Sequence, residues 1–179
     1  MTRLYHRLTT CLYGCFHRMF IAVSKRARLN IAVCVDTSGS TAGEILDAFF
    51  EEINAMHENP RNVITVIECD RDVGHVYRYR GFRPKKAICW HQGGGTAYEP
   101  ALIRANALRP KPDGIVYFTD SWGKCPIGCT NIPVLWVIAS GCDPERHTQF
   151  GRTVEITDLR RHNLATLLFE LEDVGWRPK

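Results

Sequence analysis

Two aspartates and three hydroxyl residues have the types and the spacing that could carry chemistry. Asp36, Ser38 and Ser40 form an Asp-x-Ser-x-Ser run, Thr96 follows three glycines, and Asp120 follows a short apolar segment. Carboxylates and hydroxyls are hard oxygen donors, which suit Mg²⁺ or Mn²⁺ better than zinc. Two carboxylates with neutral hydroxyls would leave such an ion coordinatively incomplete, so it would also take water or a carboxylate from a partner. These residues therefore predict a divalent-cation site.

The predicted secondary structure brings these distant residues to one edge of a sheet. Apolar runs typical of buried strands precede the clusters at Asp36 and Asp120, and amphipathic segments typical of helices separate the runs. In an open α/β sheet the ligand crevice lies outside the carboxyl ends of the strands. The predicted strands cover residues 30–35, 63–67, 73–79, 115–118, 134–138 and 153–156, with helices at 43–57, from 98 to about 108, and around 164–171.

The alternation of strands and helices predicts the fold class. It is typical of an α/β fold with a doubly wound, mostly parallel sheet and helices on both faces. Residues 73–79 alternate polar and apolar side chains more than the other runs do, and we predict that they form an antiparallel edge strand. The predicted domain spans residues 30–179.

Residues 1–29 differ in charge from the rest of the chain. They contain six Lys and Arg residues and no Asp or Glu, so that the remaining 150 residues carry a net charge of −2. Their apolar residues recur at helical spacing, which predicts a basic amphipathic helix. We favour a helix that docks on the domain or on a partner; a membrane-surface or targeting helix and a nucleic-acid-binding arm are the alternatives. The near-neutral main domain gives no reason to expect a nucleic-acid partner.

Composition and length restrict the class of protein. The chain has 179 residues, 45% hydrophobic and 23% charged, which fits one globular domain and excludes a disordered chain. The longest apolar run near the N-terminus has five residues, far short of the roughly 20 that a membrane span needs. Eight cysteines are too few for a disulfide scaffold, and no signal peptide is evident. We therefore predict a cytoplasmic protein.

The ordered set of Asp36, Ser38, Ser40, Thr96 and Asp120 resembles the metal-ion-dependent adhesion site of von Willebrand factor A (VWA) domains. The order and the strand-end positions match over residues 30–158. The chain is similar, more narrowly, to the VWA-like C-terminal domain of certain bacterial metallopeptidase-type proteins, in the stretches IAVCVDTSGST, VIECD, GGGTAYEPAL, and VYFTDSWGKCP with PVLWVI and FG. A helical domain with an HExxH motif usually precedes that domain. This chain has no HExxH, so peptidase activity is not implied.

The resemblance implies a function and a set of roles. Ser38 and Ser40 would bind the ion directly through their hydroxyls, and a protein partner would donate an Asp or Glu to the open position. The resemblance also implies a partner class, AAA+ ATPases of the MoxR type, and a role as an adaptor or a component of a larger assembly. Asp70 ends the second strand at the same edge, where it is either a second-shell acceptor or a plain turn residue.

Two other functions are alternatives to a protein-interaction module. One is a metal-dependent hydrolase with Asp36 as nucleophile, but no acid or base is placed beside it, and we predict that the chain is not an enzyme. The other is a metal-free protein that serves assembly. The three glycines that end at Gly95 are not followed by Gly-Lys-Ser/Thr, so they favour close backbone approach at Thr96 rather than a phosphate loop.

Three cysteines are candidates for a second metal site. Cys125 and Cys129 have Cys142 and His147 downstream, which allows a zinc site or a disulfide. The spacing departs from CxxC, so we favour loop thiols with neither role.

Overall fold

The fold is built on a six-stranded, mostly parallel sheet. The structure is a computed structural model that describes residues 28–84, 95–123, 128–143 and 150–157. The strand order is β3-β2-β1-β4-β5-β6. The strands are β1 (Asn30–Asp36), β2 (Val63–Cys69), β3 (Val73–Arg78), β4 (Gly114–Thr119), β5 (Val134–Ile138) and β6 (Arg152–Glu155).

The strand pairing confirms the predicted fold class. The central strand β1 pairs in parallel with β2 and β4, and β4, β5 and β6 continue in parallel. The strand β3 pairs antiparallel with β2 at the edge, as its alternating sequence predicts. Every residue of β4 and β5 is buried, which is why those segments read as continuous apolar runs.

Two helices cover opposite faces of the sheet: α1 (Glu44–His57) and α2 (Glu99–Asn106). Val33 of β1 belongs to the same buried cluster as Phe49 of α1, whereas the next residue, Cys34, belongs to the cluster of Leu102 of α2. Successive side chains of a strand point to opposite faces, so one strand supplies both cores. The sheet is therefore doubly wound.

One glycine is required for the packing of β5 against the segment before β6. The Nε1 group of Trp136 donates to the carbonyl of Phe150 at 3.0 Å, which brings that segment close to the sheet. Gly151 follows with a φ of 79°, and a Cβ placed there would lie 2.4 Å from the carbonyl oxygen of Val134. A side chain would thus clash with the backbone and would adopt an unfavourable conformation.

Some predicted elements differ from the structure or lie outside it. The helix predicted from residue 98 to about 108 ends at Asn106, and a short 3-10 helix at Gly39–Thr41 was not predicted. The predicted helices of residues 1–29 and around 164–171 lie outside the described residues, apart from Arg28 and the buried Leu29. Within the described ranges, no helix has the length and hydropathy needed to cross a bilayer.

Candidate metal centre

The loop after β1 holds Asp36 in one position. The backbone N–H of Ser38 donates to Oδ1 of Asp36 at 3.0 Å, which closes a turn on the carboxylate. The hydroxyl of Thr41, which is fully buried, donates to the carbonyls of Asp36 and Ser38, both at 2.9 Å. Thr37 donates its N–H to the carbonyl of Cys69 at 2.9 Å and so continues the sheet past the end of β1. The loop thus holds one oxygen of the Asp36 carboxylate, and Thr41 stabilises the loop, a contribution that the sequence analysis did not predict.

The two predicted serine ligands lie side by side. The hydroxyl oxygens of Ser38 and Ser40 are 3.2 Å apart. Ser38 is buried and Ser40 is exposed, so the pair runs from the interior to the surface. Two adjacent hydroxyls with oxygen lone pairs suit a small hard cation.

A buried hydrogen-bond chain connects Tyr98, the residue before α2, to Asp36. The hydroxyl of Thr119 donates to Oδ2 of Asp36 at 2.8 Å and accepts from the N–H of Ser121 at 3.2 Å. The Thr119 hydrogen is used on Asp36, so the hydroxyl of Tyr98, 2.9 Å away, is the donor in their contact. Neither Tyr98 nor Thr119 was predicted as a site residue. In the sequence, Thr119 is marked only by its position next to Asp120, and Tyr98 only by its position two residues after Thr96.

Asp120 lies at the end of β4, and its carboxylate is only partly satisfied. The residue is 2% exposed, and its Oδ1 accepts from the N–H of Trp122 at 3.2 Å. Its Oδ2 is buried without a hydrogen-bond partner among the described residues. Asp36 is fully buried, and no cationic side chain of the described ranges forms an ion pair with either aspartate. Buried carboxylates are ordinarily paired or bound to a metal.

The electrostatics of the pair follow from this burial. Burial raises the pKa of Asp36 to about 6, and the nearby Asp120 carboxylate acts in the same direction. The hydrogen bonds from Ser38 and Thr119 oppose the shift because they stabilise the charged form. The site thus favours an added positive charge, either a proton or a cation. The donor set fits a divalent cation.

Thr96 and Asp70 lie at the same edge, with different surroundings. The N–H of Ala97 donates to the carbonyl of Asp70 at 2.8 Å, which places the neighbouring Thr96 beside the end of β2. Thr96 is half-buried, and its predicted role as a ligand stays a prediction. Oδ1 of Asp70 accepts from the N–H groups of Arg71 and Asp72, the latter at 3.3 Å. These bonds form the turn at Asp70, and its predicted second-shell role stays a prediction.

Among the residues that the structure describes, the other candidates form no group of metal ligands. In the part of the chain that the structure describes, no three His, Cys, Asp or Glu side chains come together as a metal cluster. Cys129 and Cys142 are half-buried free thiols beside the α2-side core. Cys125, His147 and the glycines before Gly95 lie outside the described residues.

The chain was compared with protein families, curated proteins and solved structures. The sequence model of a family described as a VWA-like domain (DUF2201) matches residues 31–157, which is most of the chain. No curated protein gives a significant match. Among solved structures, the chain is similar to the VWA domain of SpRpn10, with 12% sequence identity and a TM-score of 0.47, over 78% of this chain and 97% of that one.

Proposed function

The chain belongs to the family of VWA-like domains (DUF2201), and from this premise we propose that it is a protein-interaction module that uses Mg²⁺ or Mn²⁺ to bind a carboxylate of its partner. The residues that would hold the cation are Asp36, Ser38, Ser40, Thr96 and Asp120. The observation that carries the proposal is the buried pair Asp36 and Asp120, which no described side chain neutralises.

The residues of the proposed site have different roles. Thr119 and the N–H of Ser38 each occupy one oxygen of Asp36, which fixes the orientation of that carboxylate. Oδ2 of Asp120 and the hydroxyls of Ser38 and Ser40 retain free acceptor capacity. When bound, the cation supplies an open coordination position and the positive charge that an incoming Asp or Glu needs.

Thermal unfolding tests the cation. We expect Mg²⁺ or Mn²⁺ to raise the melting temperature and EDTA to abolish the gain, because a ligand that binds the folded state stabilises it. At 100 times the Kd the gain is about 2.7 kcal/mol. The variant Asp120→Asn should lose the response, whereas Asp47→Asn, on the exposed face of α1, should keep it. A melting temperature that stays constant through a wide titration of both ions would contradict the proposal.

The partner is tested separately. The resemblance proposes an ATPase of the MoxR class, with this chain as an adaptor in a larger assembly. A purified ATPase of that class should be retained by the immobilised chain in Mg²⁺ and released by EDTA, with Asp120→Asn as the control. Retention that survives EDTA would contradict a cation-mediated contact.

We propose no catalytic activity. Both oxygens of Asp36, the candidate nucleophile, accept hydrogen bonds, one from the N–H of Ser38 in its own loop and one from the hydroxyl of Thr119 in β4. Turnover of generic phosphoesters or peptides that requires Asp36 would contradict this.

A further inference from the structure

An exposed tryptophan stands beside the candidate metal centre. Trp122 lies two residues after Asp120 and is 69% exposed. Phe82 and Ile103 are the other large hydrophobic side chains of the described ranges that are similarly exposed. Trp122 differs from them because it belongs to the loop that carries Asp120.

This loop is attached to the site at three successive residues. The N–H of Trp122 donates to Oδ1 of Asp120 at 3.2 Å, and the N–H of Ser121 donates to the hydroxyl of Thr119 at 3.2 Å. The N–H of Gly123 donates to the hydroxyl of Tyr98 at 2.8 Å. The backbone on both sides of Trp122 is therefore hydrogen-bonded to residues of the site.

The contact at Gly123 fixes the loop against the core. A Cβ at that position would lie 2.4 Å from the ring of Tyr98, so only glycine permits the approach. The Tyr98 ring is fully buried and packs edge-on against Tyr117 and Trp136, with ring centroids 5.1 and 5.4 Å apart. A ring enclosed in this way cannot move aside. The position of the Trp122 backbone is thus determined by the core before any partner binds.

We propose that Trp122 is the apolar contact of the binding surface, and that the partner is a protein segment with an Asp or Glu close to a bulky apolar residue. The inference rests on the proposed function, because the acidic residue requires the cation. Trp122 lies two residues from Asp120, and its N–H donates to the Asp120 carboxylate, so the apolar residue of the partner should lie close to its acid in sequence.

The chemistry explains why such a residue is needed. Any acidic segment can supply a carboxylate to a cation. The cation alone therefore discriminates little between acidic segments. Tryptophan offers a large apolar area with two side-chain torsions to fix, and it is enriched among the residues that dominate binding energy. A backbone that is already fixed lowers the entropy cost of binding. The cation would supply the attachment and Trp122 the selectivity.

Peptide selection on the full chain tests the proposal. A phage library of random dodecapeptides is bound in Mg²⁺ and eluted with EDTA, and the enriched peptides are synthesised and titrated. We expect them to carry an Asp or Glu with a neighbouring bulky apolar residue. Trp122→Ala should weaken their binding at least about tenfold, a loss of 1.4 kcal/mol. Trp122→Phe should weaken it less, and the matched control Ile103→Ala should bind like the wild type.

The outcomes separate this inference from the function on which it rests. Enriched peptides without an apolar preference, or equal binding by Trp122→Ala, would overturn the role of Trp122 and leave the cation intact. Loss of the Mg²⁺ melting response in Trp122→Ala would also overturn it, because the residue would then serve the metal loop. Absence of that response in the wild type would overturn the proposed function itself.

Discussion

Two groups of buried carboxylates near the carboxyl ends of the central strands have different surroundings. Glu68, 2% exposed near the end of β2, accepts from Nε and Nη2 of Arg83 at 2.8 and 3.0 Å and from the hydroxyl of Tyr77 at 2.8 Å. The Arg83 guanidinium also lies over the Phe50 ring, 4.8 Å from its centre, and this cation–π contact adds to its attachment. Glu68 has its counter-charge within the fold.

Asp36 and Asp120 are as deeply buried as Glu68, but they have no such partner among the described residues. Among the described residues, their hydrogen bonds come from neutral groups, namely hydroxyls and backbone N–H, and Oδ2 of Asp120 has none. The difference is that Glu68 has a cationic partner among the described residues, whereas Asp36 and Asp120 have only neutral hydrogen-bond donors there. Burial alone does not distinguish the two groups; the presence of a cationic side chain does.

The largest effect on stability is expected when Arg83, the cationic partner of Glu68, is replaced. Arg83→Met leaves Glu68 buried without a cation and should lower the free energy of unfolding by about 3 kcal/mol. Urea denaturation measures the loss. The double variant Glu68→Gln with Arg83→Met should recover part of it, because no charge is then left unpaired. If the single and double variants were equally unstable, the ion pair would not be the cause.

The second effect concerns the proposed cation. Asp36→Asn should abolish the stabilisation by Mg²⁺, about 2.7 kcal/mol at 100 times the wild-type Kd, while the protein stays folded. Melting in Mg²⁺ and in EDTA gives the difference, and Glu68→Gln is the matched control that should keep it. A full Mg²⁺ response in Asp36→Asn would remove this residue from the site.

A smaller effect is expected from pH in EDTA. The pKa of Asp36 in the folded protein is about 6, above its usual 3.8, so the folded state binds the proton more tightly. The resulting stabilisation is complete below pH 3.8 and is lost as the pH rises through 6. Between pH 5 and pH 7 this group should account for a loss of about 1 kcal/mol. The difference between wild type and Asp36→Asn in urea midpoints at the two pH values isolates it, and identical pH dependence of the two would contradict it.

The smallest effect concerns the backbone beside Asp120. Ser121 has a φ of 69°, a conformation that side chains disfavour and glycine tolerates. Ser121→Gly should therefore raise the free energy of unfolding by about 0.5 kcal/mol, with the Mg²⁺ response kept. Chemical denaturation with and without Mg²⁺ checks both parts. Destabilisation would mean that the buried Ser121 side chain matters more than the strain.

Much of the fold follows from local sequence patterns. The continuous apolar run of β1 predicts a strand buried on both faces, and the alternation of residues 73–79 predicts the edge strand. These patterns are visible because burial on one or both sides of a strand dictates residue type directly. Element ends were less predictable: the 3-10 helix at Gly39–Thr41 depends on the Thr41 bonds across its own loop.

Two aspartates and the serines of one loop can be read from the sequence at predicted strand ends, and the order of strands brings them to one edge. Which carboxylates have a cationic partner within the fold depends instead on how distant segments pack. The pairing of Glu68 with Arg83 and the chain from Tyr98 through Thr119 to Asp36 join residues that are 15 to 83 positions apart. Such contacts leave no periodic pattern, because they depend on how separate elements pack. The same packing buries Asp36 and Asp120, and the proposed cation site depends on that burial.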